Sequence, residues 1–316
     1  AQGAEGIAVG LSTKILPHNF CELIEASVKY LRGKKFELYP DFQTGGMIDV
    51  TSYNEGKRGG KVRVRARIEE LDKKTLVIRD VPYGVTTTSL MDSIVKANDQ
   101  GKIKIKKVTD NTAAEVEVLV DLAPGMSTDI TIDALYAFTD CEISISPNAC
   151  VIAEDKPRFM SVHELLRVSA DYTKDLLRQE LEIRLAELQE KWHYTSLEKI
   201  FFEEKIYKEL EKKHDTWEKV LEAIDKAFNP FKKQLKRDIS KEDIIKLTEK
   251  PVRRIYRLDI DELNEQIRGI EKDIKQVKYD LANLVDFAVA YYENLLKKYG
   301  KGRERKTEIR LFEAIQ

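Results

Sequence analysis

Residues 261–300 read DELNEQIRGIEKDIKQVKYDLANLVDFAVAYYENLLKKYG. Within them Leu263, Ile267, Ile270, Ile274, Val277, Leu281, Leu284, Ala288, Tyr291 and Leu295 follow one another at alternating steps of four and three. An apolar residue at roughly every 3.5 positions, sustained over this many turns, keeps one narrow stripe in register along a helix, which is what a coiled-coil seam demands. The spacing predicts a helix from Asp261 to Tyr299, extending on the order of 55 Å at about 1.5 Å per residue. A seam of that length requires a second long helix.

That helix lies upstream. After Pro157, the apolar residues Val162, Leu165, Val168, Tyr172 and Leu176 recur with helical period as far as Leu188, which predicts an amphipathic helix. Between the two, Trp192 to about Arg257 is aromatic and rich in Lys and Glu, with breaks at Asn229-Pro230 and at Pro251, and it reads as a compact helical knob. Two long helices flanking a knob meet only if they run antiparallel. The expected layout is an outgoing helix over 157–191, the knob over 192–260, a returning helix over 261–300 and a C-terminal segment over 301–316. Asp259 with Glu262 reads as a capping box opening the returning helix.

Composition divides the chain further upstream. Twelve of the fifteen glycines lie at or before Gly125. There Val62, Val64, Ala66 and Ile68 alternate with Arg63, Arg65 and Arg67, and a turn at Asp72-Lys73-Lys74 leads into Leu76-Val77-Ile78, which predicts a two-stranded hairpin with one basic face. Strands are expected at 103–108, 116–122 and 142–145, and helices at 20–31, 89–97 and 128–138. The predicted class is α+β: a short N-terminal segment (1–19), an α/β domain (20–156), then a long antiparallel two-helix coiled coil carrying the knob.

The whole chain has 316 residues, with 54 Lys+Arg against 55 Asp+Glu and a formal net charge of -1. Near-neutrality argues against a grip on nucleic acid by the whole surface and leaves local patches open. No apolar run is long enough for a membrane span, the first residues show no basic stretch followed by an apolar one, and three cysteines do not suggest a disulfide framework, so a soluble cytoplasmic protein with buried thiols is expected. Opening at Ala1 directly into a Gly-rich apolar run, the sequence reads as a fragment of a longer protein.

Catalytic motifs are missing. Neither a P-loop nor a dinucleotide fingerprint surrounds Gly3, Gly6 and Gly10. His163-Glu164 begins a zinc-hydrolase motif that ends in Arg167, so His163 reads as a helix-start residue. No nucleophile elbow occurs, and Cys21 beside His18 reads as a packing residue.

Two features carry binding chemistry instead. The run Lys57-Arg58-Gly59-Gly60-Lys61 leads into the alternating arginines, and such a cationic row beside paired glycines suits a phosphate backbone; acids on a neighbouring strand could equally absorb Arg65 and Arg67. The run Thr13-Lys14-Ile15-Leu16-Pro17-His18-Asn19 sets two bulky apolar residues between a lysine and a proline, the composition of a side chain that wedges between base steps. Ile15 and Leu16 could instead fold under the loop as core. Asn19 and Glu22 read as a capping box for the helix from Phe20.

At this loop the sequence resembles a known family. Residues 6–19, GIAVGLSTKILPHN, look like the signature that follows the active-site tyrosine in the A subunits of bacterial type IIA DNA topoisomerases, the gyrase and topoisomerase IV family. The likeness continues through Tyr39-Pro40-Asp41-Phe42-Gln43-Thr44-Gly45-Gly46, Gly60-Lys61-Val62, Arg65-Ala66-Arg67 and Val81-Pro82-Tyr83-Gly84-Val85, and it returns at 303–309. The chain departs from the family at Leu16, where gyrases often have proline, in the order of Arg58 and its glycines, and at Thr86-Thr87.

The resemblance implies a tower domain, a coiled coil and a homodimeric exit-gate knob through residues 192–260. It implies a wedge isoleucine at Ile15 and a DNA-contacting set of Lys14, Ile15, His18, Lys57, Arg58, Lys61 and Arg63. It also implies an ATP-dependent isomerase whose partners are double-stranded DNA, the separate ATPase-bearing topoisomerase polypeptide (the B subunit) and a second copy of the chain. The catalytic tyrosine would lie upstream, leaving this chain inactive alone, and ATP and Mg2+ would come through the ATPase partner, with no cofactor in this chain. The early Gly-rich run and Lys14-Ile15-Leu16 read more like topoisomerase IV than gyrase. The competing expectation is a non-enzymatic coiled-coil scaffold with an α+β binding module.

Overall fold

The computed structural model describes residues 1–250 and 260–313. Pro251, Arg257 and the capping residue Asp259 lie outside the described residues. The α+β class expected from the sequence holds among the described residues, with eleven strands up to Phe159, long helices after it and one short late strand. The chain forms two compact units, one of Ala1–Tyr172 with Val289–Gln316 and one of Thr173–Ala288.

The first unit opens with an antiparallel ribbon, β1 (Ala4–Ala8) and β2 (Leu11–Ile15), followed by helix α1 (Phe20–Leu31). Next come β3 (Met47–Asp49), β4 (Val62–Arg65), β5 (Arg67–Asp72), β6 (Thr75–Asp80), α2 (Thr87–Asp99), β7 (Ile105–Asp110), β8 (Val118–Leu122), α3 (Thr128–Phe138), β9 (Glu142–Ile145), β10 (Cys150–Ala153) and β11 (Lys156–Phe159). The late strand β12 (Glu308–Ile309) adds in parallel to β3. One sheet has the order β12-β3-β4-β9 and the other β5-β6-β8-β7. Leu76, Ile78, Val118 and Val120 of the second sheet pack with Leu90 and Ile94 of α2 and Leu135 of α3 in the larger core.

The expected basic hairpin is two structures. Its turn is real, with β5 pairing β6 and the Asp72 carboxylate accepting from the Lys74 amide at 2.7 Å. The row of arginines preceding it, however, is cut at Ala66. That residue's N–H donates to the Cys141 carbonyl at 2.7 Å and its carbonyl accepts from the Tyr136 hydroxyl at 2.8 Å, so the chain steps from one sheet to the other. Arg63 and Arg65 therefore belong to β4, paired with β3 and β9, while Arg67 belongs to β5.

The ends of the chain cement this unit. Asn19 caps α1 by accepting from the Glu22 amide at 3.1 Å, but the Glu22 carboxylate turns to the Arg305 guanidinium, at 2.9 and 2.8 Å, instead of closing a capping box. Thr307 is fully buried, its hydroxyl accepting from the Phe42 amide at 2.8 Å. Of the cysteines, Cys141 is buried in the core, where desolvation pushes its thiol up to about 12, whereas Cys21 and Cys150 are only half-buried.

Helix α4 (Val162–Glu203) is 42 residues long, about 63 Å at 1.5 Å per residue, and runs past the expected end at 191. Ser161 and Glu164 form its capping box, and His163, a helix-start residue as expected, is buried with its ring stacked on Phe36 at 5.1 Å. Its buried stripe is Val162, Leu166, Ala170, Leu177 and Leu181, while Val168, Tyr172 and Leu176 of the expected stripe are exposed. Repeated steps of three fall about 60° short of a full turn each time, so a face read as 162, 165, 168 drifts into solvent, whereas steps of four and seven stay near one meridian.

In the second unit, Leu197 and Phe201 of α4 share a core with Leu263 of α7 (Ile260–Ala282), and Trp192 packs on Ile270 and Ile274. Later residues of α4 meet earlier ones of α7, so the pair is antiparallel. Helices α5 (Trp217–Phe228) and α6 (Lys241–Thr248) complete that core, with Pro230 opening a 3-10 turn at the expected break. Arg237 bridges Glu190 and Asp243, and Asp243 also takes His193 at 3.1 Å.

The returning helix is not continuous. It stops at Ala282 and restarts as α8 (Leu284–Tyr299), with the Asn283 side chain donating to the Tyr279 carbonyl at 2.9 Å, the kind of local bond that bends helices. Beyond the break the buried positions are Ala288, Val289 and Tyr292, and the expected seam residue Tyr291 is exposed.

Candidate nucleic-acid interface

The ribbon β1–β2 turns at Val9-Gly10, with Gly10 at φ +75°. Every residue of β1 is exposed, and Ile7 and Val9 near the tip are 91% and 103% exposed. A two-stranded ribbon with an unburied face is marginal alone and suits an interface. It is anchored at its base. Gly3 lies so close to the loop that a Cβ there would sit 2.4 Å from the Ile15 carbonyl oxygen, and Lys14 and Asn148 exchange two backbone hydrogen bonds of 2.8 Å. Lys14 reaches outward, its Nζ 3.8 Å from Glu5.

The two bulky residues after Lys14 diverge. Ile15 is half-buried at the end of β2, whereas Leu16 is buried among Phe42, Tyr53, Val62 and Val64. Leu16 therefore takes the core role and Ile15 keeps an open face.

His18 occupies a position unlike that of a phosphate ligand. It is buried, with Nδ1 2.7 Å from the Leu16 carbonyl and Nε2 3.0 Å from the Tyr53 hydroxyl. A carbonyl can only accept, so Nδ1 carries the proton and Nε2 accepts from Tyr53. Burial lowers its pKa to about 4 despite the Leu16 carbonyl, which favours the charged form, so the ring is neutral near pH 7. Its role is to hold the loop.

Tyr53 carries that hold to the basic turn. Its buried phenol, whose pKa desolvation pushes far up, sits under residues 52–61. Gly60 approaches its backbone so closely that a Cβ would lie 2.3 Å from the Tyr53 carbonyl, and Lys61 N–H donates to the Ser52 carbonyl at 2.9 Å. Asn54 and Glu55 both adopt positive φ, at 51° and 54°, a costly conformation for non-glycine residues. The result is an exposed crest of Lys57, Arg58 and Lys61. Lys57 lies 3.7 Å from Glu55, Arg58 rests 5.6 Å from the centre of the Phe159 ring, and Lys61 has no ion pair among the described residues.

Arg63 stands apart from that crest. Its guanidinium makes three hydrogen bonds to Glu142 of β9, at 3.3, 2.9 and 3.0 Å. Arg65 donates to the same carboxylate at 2.6 Å and lies between the rings of Tyr136 and Phe312, at 4.6 and 4.2 Å. Arg67 pairs with Asp80 at 3.1 Å.

Of the expected contact set, Lys14, Ile15, Lys57, Arg58 and Lys61 are at least partly open to solvent and lie on two segments that Tyr53 ties together. His18 is internal and Arg63 is occupied by Glu142. Sequence reading missed Tyr53 and Asn148, whose roles arise from contacts with His18 and Lys14, remote in sequence, with no local pattern to mark them.

Comparison with known proteins is consistent along the chain. The family described as the A subunit of DNA gyrase/topoisomerase IV matches residues 1–293. The DNA topoisomerase 4 A subunit of Borreliella burgdorferi is 39% identical over 313 residues, covering 99% of this chain and 50% of that protein. The DNA gyrase A subunit of Chlamydia pneumoniae is 27% identical over 322 residues, covering 94% of this chain and 35% of its own length. The DNA gyrase A subunit of Brachyspira hyodysenteriae is 25% identical over 327 residues, covering 97% and 38%. The chain thus spans half the length or less of these relatives.

Proposed function

Since the chain belongs to the family of DNA gyrase/topoisomerase IV A subunits, we propose that it forms the gate-DNA support and exit-gate portion of the DNA-cleaving subunit of an ATP-dependent type II topoisomerase. The observation that carries this reading is the pairing of a half-open Ile15 at the root of an exposed ribbon with the Lys57–Lys61 crest, joined through the His18–Tyr53 hydrogen bond. A wedge kinks DNA only if its base is rigid while neighbouring cations hold the phosphates, and these segments supply both parts.

In this reading Ile15 enters a base step of the bent duplex. Lys14, Lys57, Arg58 and Lys61 neutralise its backbone, His18 and Tyr53 fix the wedge, and Arg63 supports the sheet rather than touching DNA. Strand cutting belongs to a tyrosine outside these residues, so the chain alone is inactive. ATP and Mg2+ act through the ATPase partner, while a second copy joins through residues 192–260 to close the exit gate. No helix among the described residues is long and apolar enough to cross a membrane.

The test uses the complete DNA-cleaving polypeptide with its ATPase partner and Mg2+. Wild type should bend a doubly labelled duplex, seen by energy transfer, and form protein-linked DNA. Ile15→Ala should reduce bending and cleavage together while leaving the fold intact. Unchanged bending would remove Ile15 from the interface, and a complete assembly that neither bends nor links DNA would return the scaffold reading.

A further inference from the structure

A second basic strand lies outside that interface. Strand β7 is an edge of the second sheet, and with the turn before it reads Lys102-Ile103-Lys104-Ile105-Lys106-Lys107. Ile103 is buried and Ile105 is partly buried, both against the larger core, while the four lysines are exposed. Lys102 and Lys104 lie in the turn that leads from α2 into the strand, and Lys106 lies in β7 itself; all three side chains are exposed. A register shift between Ile105 and Lys107 breaks the alternation, so that Lys106 and Lys107 both reach solvent. Lys107 stands opposite Asp121 in the pairing register. Lys102 leans toward the ring of Phe138, 5.8 Å from its centre. Among the described residues no ion pair engages Lys102, Lys104 or Lys106, whereas Arg63, Arg65, Arg67 and Arg79 of the other strands each have an acid within 4 Å.

A lysine or two suffices to guard a sheet edge from pairing with another chain. A row of like charges with no acid between them serves an anionic partner better than it serves the fold, since the charges repel one another when nothing is bound. The geometry points to Lys102, Lys104 and Lys106 as a second DNA-backbone contact, holding one strand of the duplex away from the wedge. The inference rests on the proposed role of the chain at gate DNA. Lysines, as flexible point charges without a planar fork, suit backbone holding without base readout.

The test is the affinity of the complete DNA-cleaving polypeptide for a labelled 60-base-pair duplex, measured by anisotropy over a salt series. Replacing Lys102, Lys104 and Lys106 together by Gln should flatten the logarithmic salt slope by up to about 2.7, near 0.9 per lost phosphate contact, and replacing them by Arg should keep it. Adding Lys57→Gln, Arg58→Gln and Lys61→Gln should flatten it further. A wild-type slope retained by the Gln triple overturns this inference while leaving the gate reading intact. That holds also if the triple instead loses the ATPase partner, which would assign the row to an acidic protein. Absence of salt-dependent binding by wild type would sink the gate reading and this inference with it.

Discussion

Two segments of the first unit, β4 and the run Lys102–Lys106 that leads into β7, carry the same sequence pattern, a cation at alternate positions with aliphatic residues between, and the fold treats them in opposite ways. On β4 the guanidinium groups of Arg63 and Arg65 converge on one Glu142 carboxylate, and Phe312 covers both from above. On the run entering β7 the lysines are exposed and have no ion pair with an acid among the described residues. The position of the strand in its sheet accounts for much of this. β4 lies between β3 and β9, so a neighbour can present an acid to its side chains, whereas β7 is an edge with one neighbour. Alternation therefore tells which charges share a face, and sheet order tells whether that face is already satisfied.

The sharpest way to break the contrast is to remove the shared acid. With Glu142→Ala, Arg63 and Arg65 lose their common acceptor. The Arg65 side chain is only 11% exposed and cannot turn to water for compensation. Stranding a buried charge costs on the order of 3–5 kcal/mol, and Arg63, about a third exposed, should add little. Hydrogen exchange of the β4 and β9 amides in the full chain should accelerate by the corresponding factor. A loss below about 0.5 kcal/mol would mean that the β4 row behaves like the β7 row.

His18 is a third kind of basic residue, kept uncharged by its surroundings. Its folded pKa of about 4 lies below the ordinary 6.5, so between those values the unfolded chain binds more protons than the folded one, and stability falls as pH is lowered through that window. The full shift is worth about 3 kcal/mol, present above pH 6.5 and gone below about 4. Exchange of the loop amides at pH 7.5 and 4.5 should show it, and His18→Gln should flatten the profile there. An unchanged profile would return His18 to the surface set.

Asp80 gives a smaller effect. It accepts from Arg67 at 3.1 Å and from the Gly46 amide at 2.9 Å, both half-buried, so Asp80→Asn should cost the first unit about 1.5 kcal/mol, read from denaturant unfolding. A neutral result would place Arg67 with the free lysines.

These contrasts also mark how far the sequence could be read. Local patterns gave helices α1 and α3 and strand β9 to the residue, because capping residues, turns and apolar period lie within each element. They failed wherever the deciding partner is remote. Ala66 carries no breaker signal, and the chain changes sheets there because of Tyr136 and Cys141, some seventy residues later. Glu142, which neutralises Arg65, lies 77 residues beyond it. The seam of the returning helix slipped at Asn283, a residue tolerated in helices whose side chain here bonds back to Tyr279. Within the candidate interface, Ile15 and the Lys57–Lys61 turn could be nominated from composition. The separation of His18 and Arg63 from them could not, because burial and pairing are properties of the assembled sheets.

The smallest expected effect sharpens the comparison most. Replacing Lys102, Lys104 and Lys106 by Gln removes three charges, and it should move the stability of the first unit by no more than about 0.5 kcal/mol, as for surface changes away from any paired group. A slight gain is the expected sign, since neighbouring like charges repel. The same measurement on Glu142→Ala then serves as the internal standard: one basic strand built into the fold, the other carried by it. If the lysine triple instead destabilised the unit by about 2 kcal/mol or more, the row would be structural, and a flattened salt slope in that variant would no longer report lost phosphate contacts.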